Sequence, residues 1–83
     1  MNTPIKEAVI ASYATRGNAR RIRIMQQSNG TYSYAEFHKL KLVAAGHRYK
    51  TFLAVLIAVE QVIKDAKEID GINYRLVAMP SLD

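Results

Sequence analysis

The stretch from Arg48 to Ala66 constrains the fold more than any other part of the chain, because its apolar residues recur with helical spacing. At about 100° per residue they gather on one wide face. That face comprises Tyr49, Phe52, Val55, Leu56, Val59, Val62, Ile63 and Ala66. Gly71 follows where a C-terminal cap belongs. We therefore expect one long amphipathic helix that packs its apolar face against a sheet.

Leu53 and Ile57 lie outside this apolar face. One interpretation is that loops or the chain ends cover them. The other is that they form an exposed apolar strip, which contacts a partner or a second copy of the chain. The sequence leaves both interpretations open.

The length of the chain fits one small domain spanning residues 1–83. Cysteine is absent, so there are no disulfides and no thiolate chemistry, as is typical of a reducing compartment. No apolar run is long enough to span a membrane, and residues 1–6 lack the layout of a signal peptide. We expect a cytoplasmic protein that makes no membrane contact.

The positive charge is concentrated in the first part of the sequence. Residues 1–50 contain nine Lys or Arg and two Glu, whereas residues 51–83 contain three Lys or Arg and five acids. This asymmetry predicts one positive face, for which polyanions are the commonest partners. The alternative is that the charge only keeps the protein in solution.

A β-hairpin is predicted around Asn29-Gly30, because this dipeptide favours a two-residue type I′ turn and the flanking residues alternate in polarity. Folding the chain there pairs Ile24 with Ala35 and Ile22 with Phe37 on the side facing the helix. The opposite side would then carry the pairs Arg23–Glu36, Met25–Tyr34, Gln27–Tyr32 and Arg21–His38.

Residues 4–14 fit either a helix that begins at Pro4 or a strand. A turn at Gly17-Asn18 would pair Tyr13 with Ile22 and Ala11 with Ile24, which favours the strand.

Two further segments complete the predicted fold. Alternation changes parity after His38, which predicts a bulge or bend near Lys39. A competing interpretation makes Ser33 and Glu36 a capping box that starts a helix. Residues 72–79 read as a last strand ended by Pro80. The predicted class is α+β: a three-stranded antiparallel meander (or an N-terminal helix plus a hairpin), one long amphipathic helix packed on the sheet, and a C-terminal strand.

The sequence offers little support for catalysis. His38 and His47 are nine residues apart on different predicted elements, and no cysteine or carboxylate pattern joins them in a metal site. There is no nucleophile elbow and no glycine-rich phosphate loop. The element order resembles the first half of a ribonuclease H-like domain, but the first strand lacks the metal-binding aspartate of such enzymes. We expect a non-enzymatic protein without cofactor or metal.

Basic and aromatic residues on the predicted hairpin form the candidate binding site. Cations contact phosphates, and aromatic rings stack on unpaired bases. The candidate residues are Arg16, Arg20, Arg21, Arg23, Tyr32, Tyr34, Lys39, Lys41, Arg48 and Lys50. In layout, a meander backed by one helix resembles the half-domain of PUR and whirly proteins, which implies binding to single-stranded DNA or RNA.

The alternative hypothesis is a protein–protein interaction. In its small size and its lack of cysteines and recognisable motifs, the chain resembles anti-CRISPR proteins. This resemblance implies a phage or mobile-element accessory protein that binds and inhibits a host protein complex. Leu53 and Ile57, or the hairpin tip at Asn29-Gly30, would be the contact points, and the partner would be an acidic host protein surface. A homodimer is compatible with both hypotheses.

Overall fold

The computed structural model describes residues 7–78 as a five-stranded antiparallel sheet with one helix packed on it, which confirms the α+β class. Its elements are β1 (Glu7–Thr15), β2 (Arg20–Gln27), β3 (Tyr32–His38), β4 (Lys41–Tyr49), α1 (Phe52–Asp70) and β5 (Tyr74–Ala78). The strand order is β4-β3-β2-β1-β5. The meander therefore has four strands rather than three, and α1 carries the chain across one face of the sheet to a fifth strand beside β1.

The first segment is a strand from Glu7 onward, and the predicted helix start at Pro4 lies outside the described residues. Tyr13 pairs with Ile22 and Ala11 with Ile24, as predicted. Gly17 and Asn18 both have positive φ, 81° and 59°, which is the backbone that a type I′ turn requires. This hairpin was therefore read correctly from its turn residues.

Helix α1 begins and ends at side-chain and backbone caps. The Thr51 hydroxyl accepts a hydrogen bond from the Ala54 amide at 3.1 Å, and the Gly71 amide donates to the Lys67 carbonyl at 3.1 Å. The helix begins four residues later than its apolar pattern, because Tyr49 still belongs to β4 and Thr51 has extended backbone.

The core lies between α1 and the middle of the sheet. Val55 and Val59 of the helix and Ile22 and Ile24 of β2 have no solvent exposure, and Ala11 completes the cluster. The predicted helix face and the inward orientation of both isoleucines are therefore confirmed.

The β2–β3 hairpin has a longer loop than its sequence predicts. The Gly30 amide donates to the Gln27 carbonyl at 3.0 Å, and the Gln27 amide donates to the Thr31 carbonyl at 2.8 Å, so Ser28–Gly30 forms a three-residue loop. Asn29 Oδ1 accepts from the Thr31 amide at 3.0 Å and from the Thr31 hydroxyl at 2.7 Å. Gly30 alone takes positive φ, 87°, because the asparagine is used as an Asx turn.

This loop shifts the strand register by one residue and reverses the faces of β3. Ile24 pairs with Tyr34 instead of Ala35, and Ile22 pairs with Glu36 instead of Phe37. Paired residues share a face, so the even-numbered side chains of β3 face α1 and the odd-numbered ones face away. The predicted inward positions of Ala35 and Phe37 are therefore wrong.

The chain reverses after His38, where a bulge or bend was predicted. Lys39 and Leu40 form a two-residue turn with φ of 50° and 69°. The capping-box alternative is also wrong, because Ser33 and Glu36 both lie in β3. This turn contains neither glycine nor asparagine, so no turn signal separates β3 from β4 in the sequence. The fourth strand was therefore not predicted.

The last strand was predicted over residues 72–79 and spans Tyr74–Ala78 at the edge of the sheet. The end of that prediction, Met79 and Pro80, lies outside the described residues.

Candidate functional site

The sheet face opposite α1, called here the outer face, carries two rows of paired residues that cross the strands. The first row runs from β5 to β4 through Arg75, Ala14, Arg21, Phe37 and Leu42. The second row contains Ser12, Arg23, Ala35 and Ala45. Because α1 packs on the other side, none of the described helices covers these rows.

Arg23 lies over the ring of Phe37, with its Cζ atom 5.3 Å from the ring centroid. The two residues occupy neighbouring strands and neighbouring rows of the outer face. A guanidinium over an aromatic face gains roughly 0.5–1 kcal/mol at an exposed site. This contact holds the Arg23 side chain against the sheet and presents a planar cation to solvent.

A groove of about 410 Å³ opens on the outer face beside these arginines. Ala14, only 2% exposed, lies between Arg21 on one neighbouring strand and Arg75 on the other. The small side chains of β1 thus leave a depression between the longer side chains of the two neighbouring strands. The groove is lined by Val9, Ser12, Ala14, Arg21, Arg23 and Val77, among others. Neighbouring strands are about 4.8 Å apart, so the backbones of Arg75 and Arg21 lie roughly 10 Å apart on either side of β1.

Charge is segregated between the two sides of the molecule. From residue 8 to residue 78, the acids are Glu36, Glu60, Asp65, Glu68 and Asp70. Four of them are on α1, and Glu36 is on the α1 side of β3. Over that range, the positive potential of the outer face is therefore not offset by an acid on the same face.

Tyr32 and Tyr34, predicted to lie with the arginines, are on the opposite side of the sheet. The Tyr32 ring packs on Phe52 with centroids 6.1 Å apart, and the Tyr34 ring packs on Tyr49 at 6.2 Å. Burial raises the pKa of Tyr34, and the neighbouring Tyr49 and Glu36 raise it further. Both rings pack at the edge of the core and supply no stacking surface to the outer face.

Arg20 also faces the α1 side, in the same row as His38. Its backbone amide donates to the Thr15 hydroxyl at 3.2 Å. Arg16 is exposed in the β1–β2 turn and, with Arg20, flanks a separate recess of about 290 Å³. Arg20 is therefore on the sheet face opposite Arg21 and Arg23, and Arg16 lies in the turn between β1 and β2.

The four remaining cations lie at opposite ends of β4. Lys39 and Lys41 are exposed at the β3–β4 turn, whereas Arg48 and Lys50 are exposed where the chain enters α1. At about 3.3 Å per residue, Lys41 and Arg48 are more than ~20 Å apart along the strand. The ten predicted residues therefore do not form one cluster.

Leu53 and Ile57 are exposed on α1, by 64% and 59% of their surfaces. They are one helical turn apart on the side away from the sheet. None of the described residues covers them, and the chain ends, which the sequence left open as a cover, lie outside the described residues.

Two residues of the outer face were missed by the sequence reading. Phe37 was assigned to the core because the register was shifted by one residue. Arg75 was left out because nothing in the sequence indicates that β5 pairs with β1. In a strand over residues 74–78, Arg75 faces the side opposite Tyr74 and Leu76. Once the pairing of β5 with β1 is known, this alternation places Arg75 on the outer face.

The outer face and its groove thus define a small α+β protein with a cationic sheet face that none of the described helices covers. Comparisons with protein-family models, curated proteins and solved structures found no match. Within residues 7–78, no helix has the length and apolar character needed to cross a bilayer. The described side chains also contain no cluster of three or more potential metal ligands.

Proposed function

We propose that this chain is a non-enzymatic binding protein that contacts single-stranded DNA or RNA through its outer face. The observation that carries the proposal is the groove of about 410 Å³ lined by Arg21 and Arg23, with Arg75 in the same row as Arg21, on the face that lies away from the acidic helix. Guanidinium groups bind phosphate through paired N–H donors and also stack on bases.

The geometry of the groove supports a strand lying across β1 and β2. Ala14 and Ser12 leave room for a backbone or a base between the arginine side chains. The Phe37 ring on the next strand supports the Arg23 guanidinium, which lies over it and can itself stack on a base. Phosphate contacts therefore dominate this proposal, and stacking contributes through the Arg23 guanidinium instead of the tyrosines that the sequence predicted.

The proposal is tested by fluorescence polarisation of a labelled oligonucleotide at several salt concentrations. Three phosphate contacts predict that log affinity falls with log salt at a slope of about −2, since each contact on a single strand contributes about −0.7. Arg21→Gln combined with Arg23→Gln should remove most of the binding. Absence of binding by the unmodified protein at low salt would refute the proposal.

A matched control distinguishes the groove from charge alone. Lys64→Gln combined with Lys67→Gln removes the same formal charge from exposed positions on α1. This variant should keep nearly all of the affinity. Equal losses in the two double variants would show that net charge, and not the outer face, governs binding.

The exposed strip of Leu53 and Ile57 favours a second candidate function. In this proposal the chain is an accessory protein that binds and inhibits a host protein complex through α1. Leu53→Asp should weaken that complex, or a homodimer formed through the strip. Light scattering over a range of concentrations reads out self-association, and an unchanged mass would exclude the homodimer.

A further inference from the structure

The β3–β4 hairpin ends in an exposed leucine held in an unusual backbone conformation. Lys39 and Leu40 both have positive φ, 50° and 69°, at turn positions that favour asparagine and glycine. Leu40 is 81% exposed, the largest exposed fraction among the large apolar side chains described. The turn is held in place, because the Lys39 amide donates to the Ala19 carbonyl at 2.8 Å.

The sequence around this leucine combines apolar and cationic side chains. Lys39 and Lys41 flank Leu40 and are exposed. Leu42 and Val43, at the start of β4, are 55% and 52% exposed. A branched side chain at a positive-φ position is disfavoured by the backbone and makes no core contact here, so neither turn preference nor packing accounts for a leucine.

We propose that Leu40 is an apolar wedge that inserts between adjacent bases of the bound strand, while Lys39 and Lys41 contact the phosphates on either side. Apolar side chains that separate stacked bases, with cations beside them on the backbone, are a recurring mode of nucleic-acid contact. This inference rests on the proposed nucleic-acid function and assigns the tip a role distinct from that of the groove.

The position of the tip supports the assignment. Phe37 is on the outer face, and Leu40 follows it by three residues, roughly 10 Å along the hairpin. A strand that lies along the row from Arg75 to Phe37 therefore reaches this hairpin at Phe37, and from there it reaches the tip by turning along β3. The lysines make the tip complementary to a polyanion, whereas an apolar pocket on a protein partner would need an acidic rim to accept it.

Fluorescence of 2-aminopurine placed within a single-stranded oligoadenylate tests the wedge, because unstacking of the probe raises its fluorescence. Binding of the unmodified protein should raise the signal. Leu40→Asn should abolish most of this increase while the affinity, measured by polarisation in the same sample, falls only severalfold. Ile69→Asn, which removes a 78% exposed aliphatic side chain from the end of α1, should behave like the unmodified protein.

The readouts separate the wedge from the function on which it depends. An increase that persists in Leu40→Asn, or bound complexes whose fluorescence never rises, would overturn the wedge and leave the groove proposal intact. No polarisation change with any oligonucleotide would overturn both. Leu40→Gly is the second variant, since glycine adopts positive φ freely, and circular dichroism verifies that both variants fold.

Discussion

The Tyr74 hydroxyl donates a hydrogen bond to Glu36 Oε2 at 3.2 Å and so joins β5 to β3 across β1 and β2. This bond lies on the α1 side of the sheet. Burial, followed by the charge and the hydrogen bond of Glu36, raises the pKa of Tyr74 from its ordinary value of 10.0 to about 12, although Arg20 acts in the opposite direction.

The raised pKa of Tyr74 predicts a loss of stability in alkali. The folded state holds this proton more tightly than the unfolded chain, so the stabilisation is present below pH 10 and is lost as the pH rises from about 10 through 12. Phenolate absorbance and chemical denaturation across this range should show both effects. In Tyr74→Phe the step near pH 12 should disappear, and an unchanged step would contradict the assignment.

Gly46→Ala should destabilise the fold by about 1–3 kcal/mol, because an added Cβ would overlap the Tyr34 ring and lie 2.8 Å from Tyr49 Oη. Urea unfolding measures the change. Tyr34→Leu provides the control background, in which the cost of Gly46→Ala should fall by more than half. Equal costs in the two backgrounds would mean that the tyrosine ring is not the obstacle.

Replacing Lys39-Leu40 by Asn-Gly should stabilise the protein by about 1 kcal/mol, because both new residues adopt positive φ more readily. Equilibrium unfolding in urea measures this gain. The expectation is the reverse of the usual effect of removing a large apolar residue. A destabilised variant would indicate that Leu40 makes a contact within the fold.

Arg75→Gln should lower the salt slope of oligonucleotide binding by about 0.7, the contribution of one phosphate on a single strand. Arg48→Gln removes the same charge at the far end of β4, beside α1, and should leave the slope unchanged. Measuring both variants compares the outer face directly with the broader site that the sequence predicted. A larger effect of Arg48 would favour that broader site.

The strand register shows how far sequence reasoning extends in this protein. Gly17-Asn18 and Asn29-Gly30 were both read as two-residue turns, and only the first adopts positive φ at both residues. At the second, the asparagine side chain binds Thr31 and lengthens the loop by one residue. An Asn-Gly dipeptide is compatible with either loop length, yet the one-residue difference exchanges Tyr34 for Phe37 on the outer face.

The sequence by itself determined the amphipathic helix, its glycine cap, the inward isoleucines of β2 and the concentration of positive charge, because periodicity, capping and composition are local properties. Only the tertiary structure decided that β5 joins β1, that the chain reverses at Lys39-Leu40, and that Arg75 shares a row with Arg21. Strand order and register depend on hydrogen bonds between distant segments, and no local pattern in this chain specifies which segments will meet.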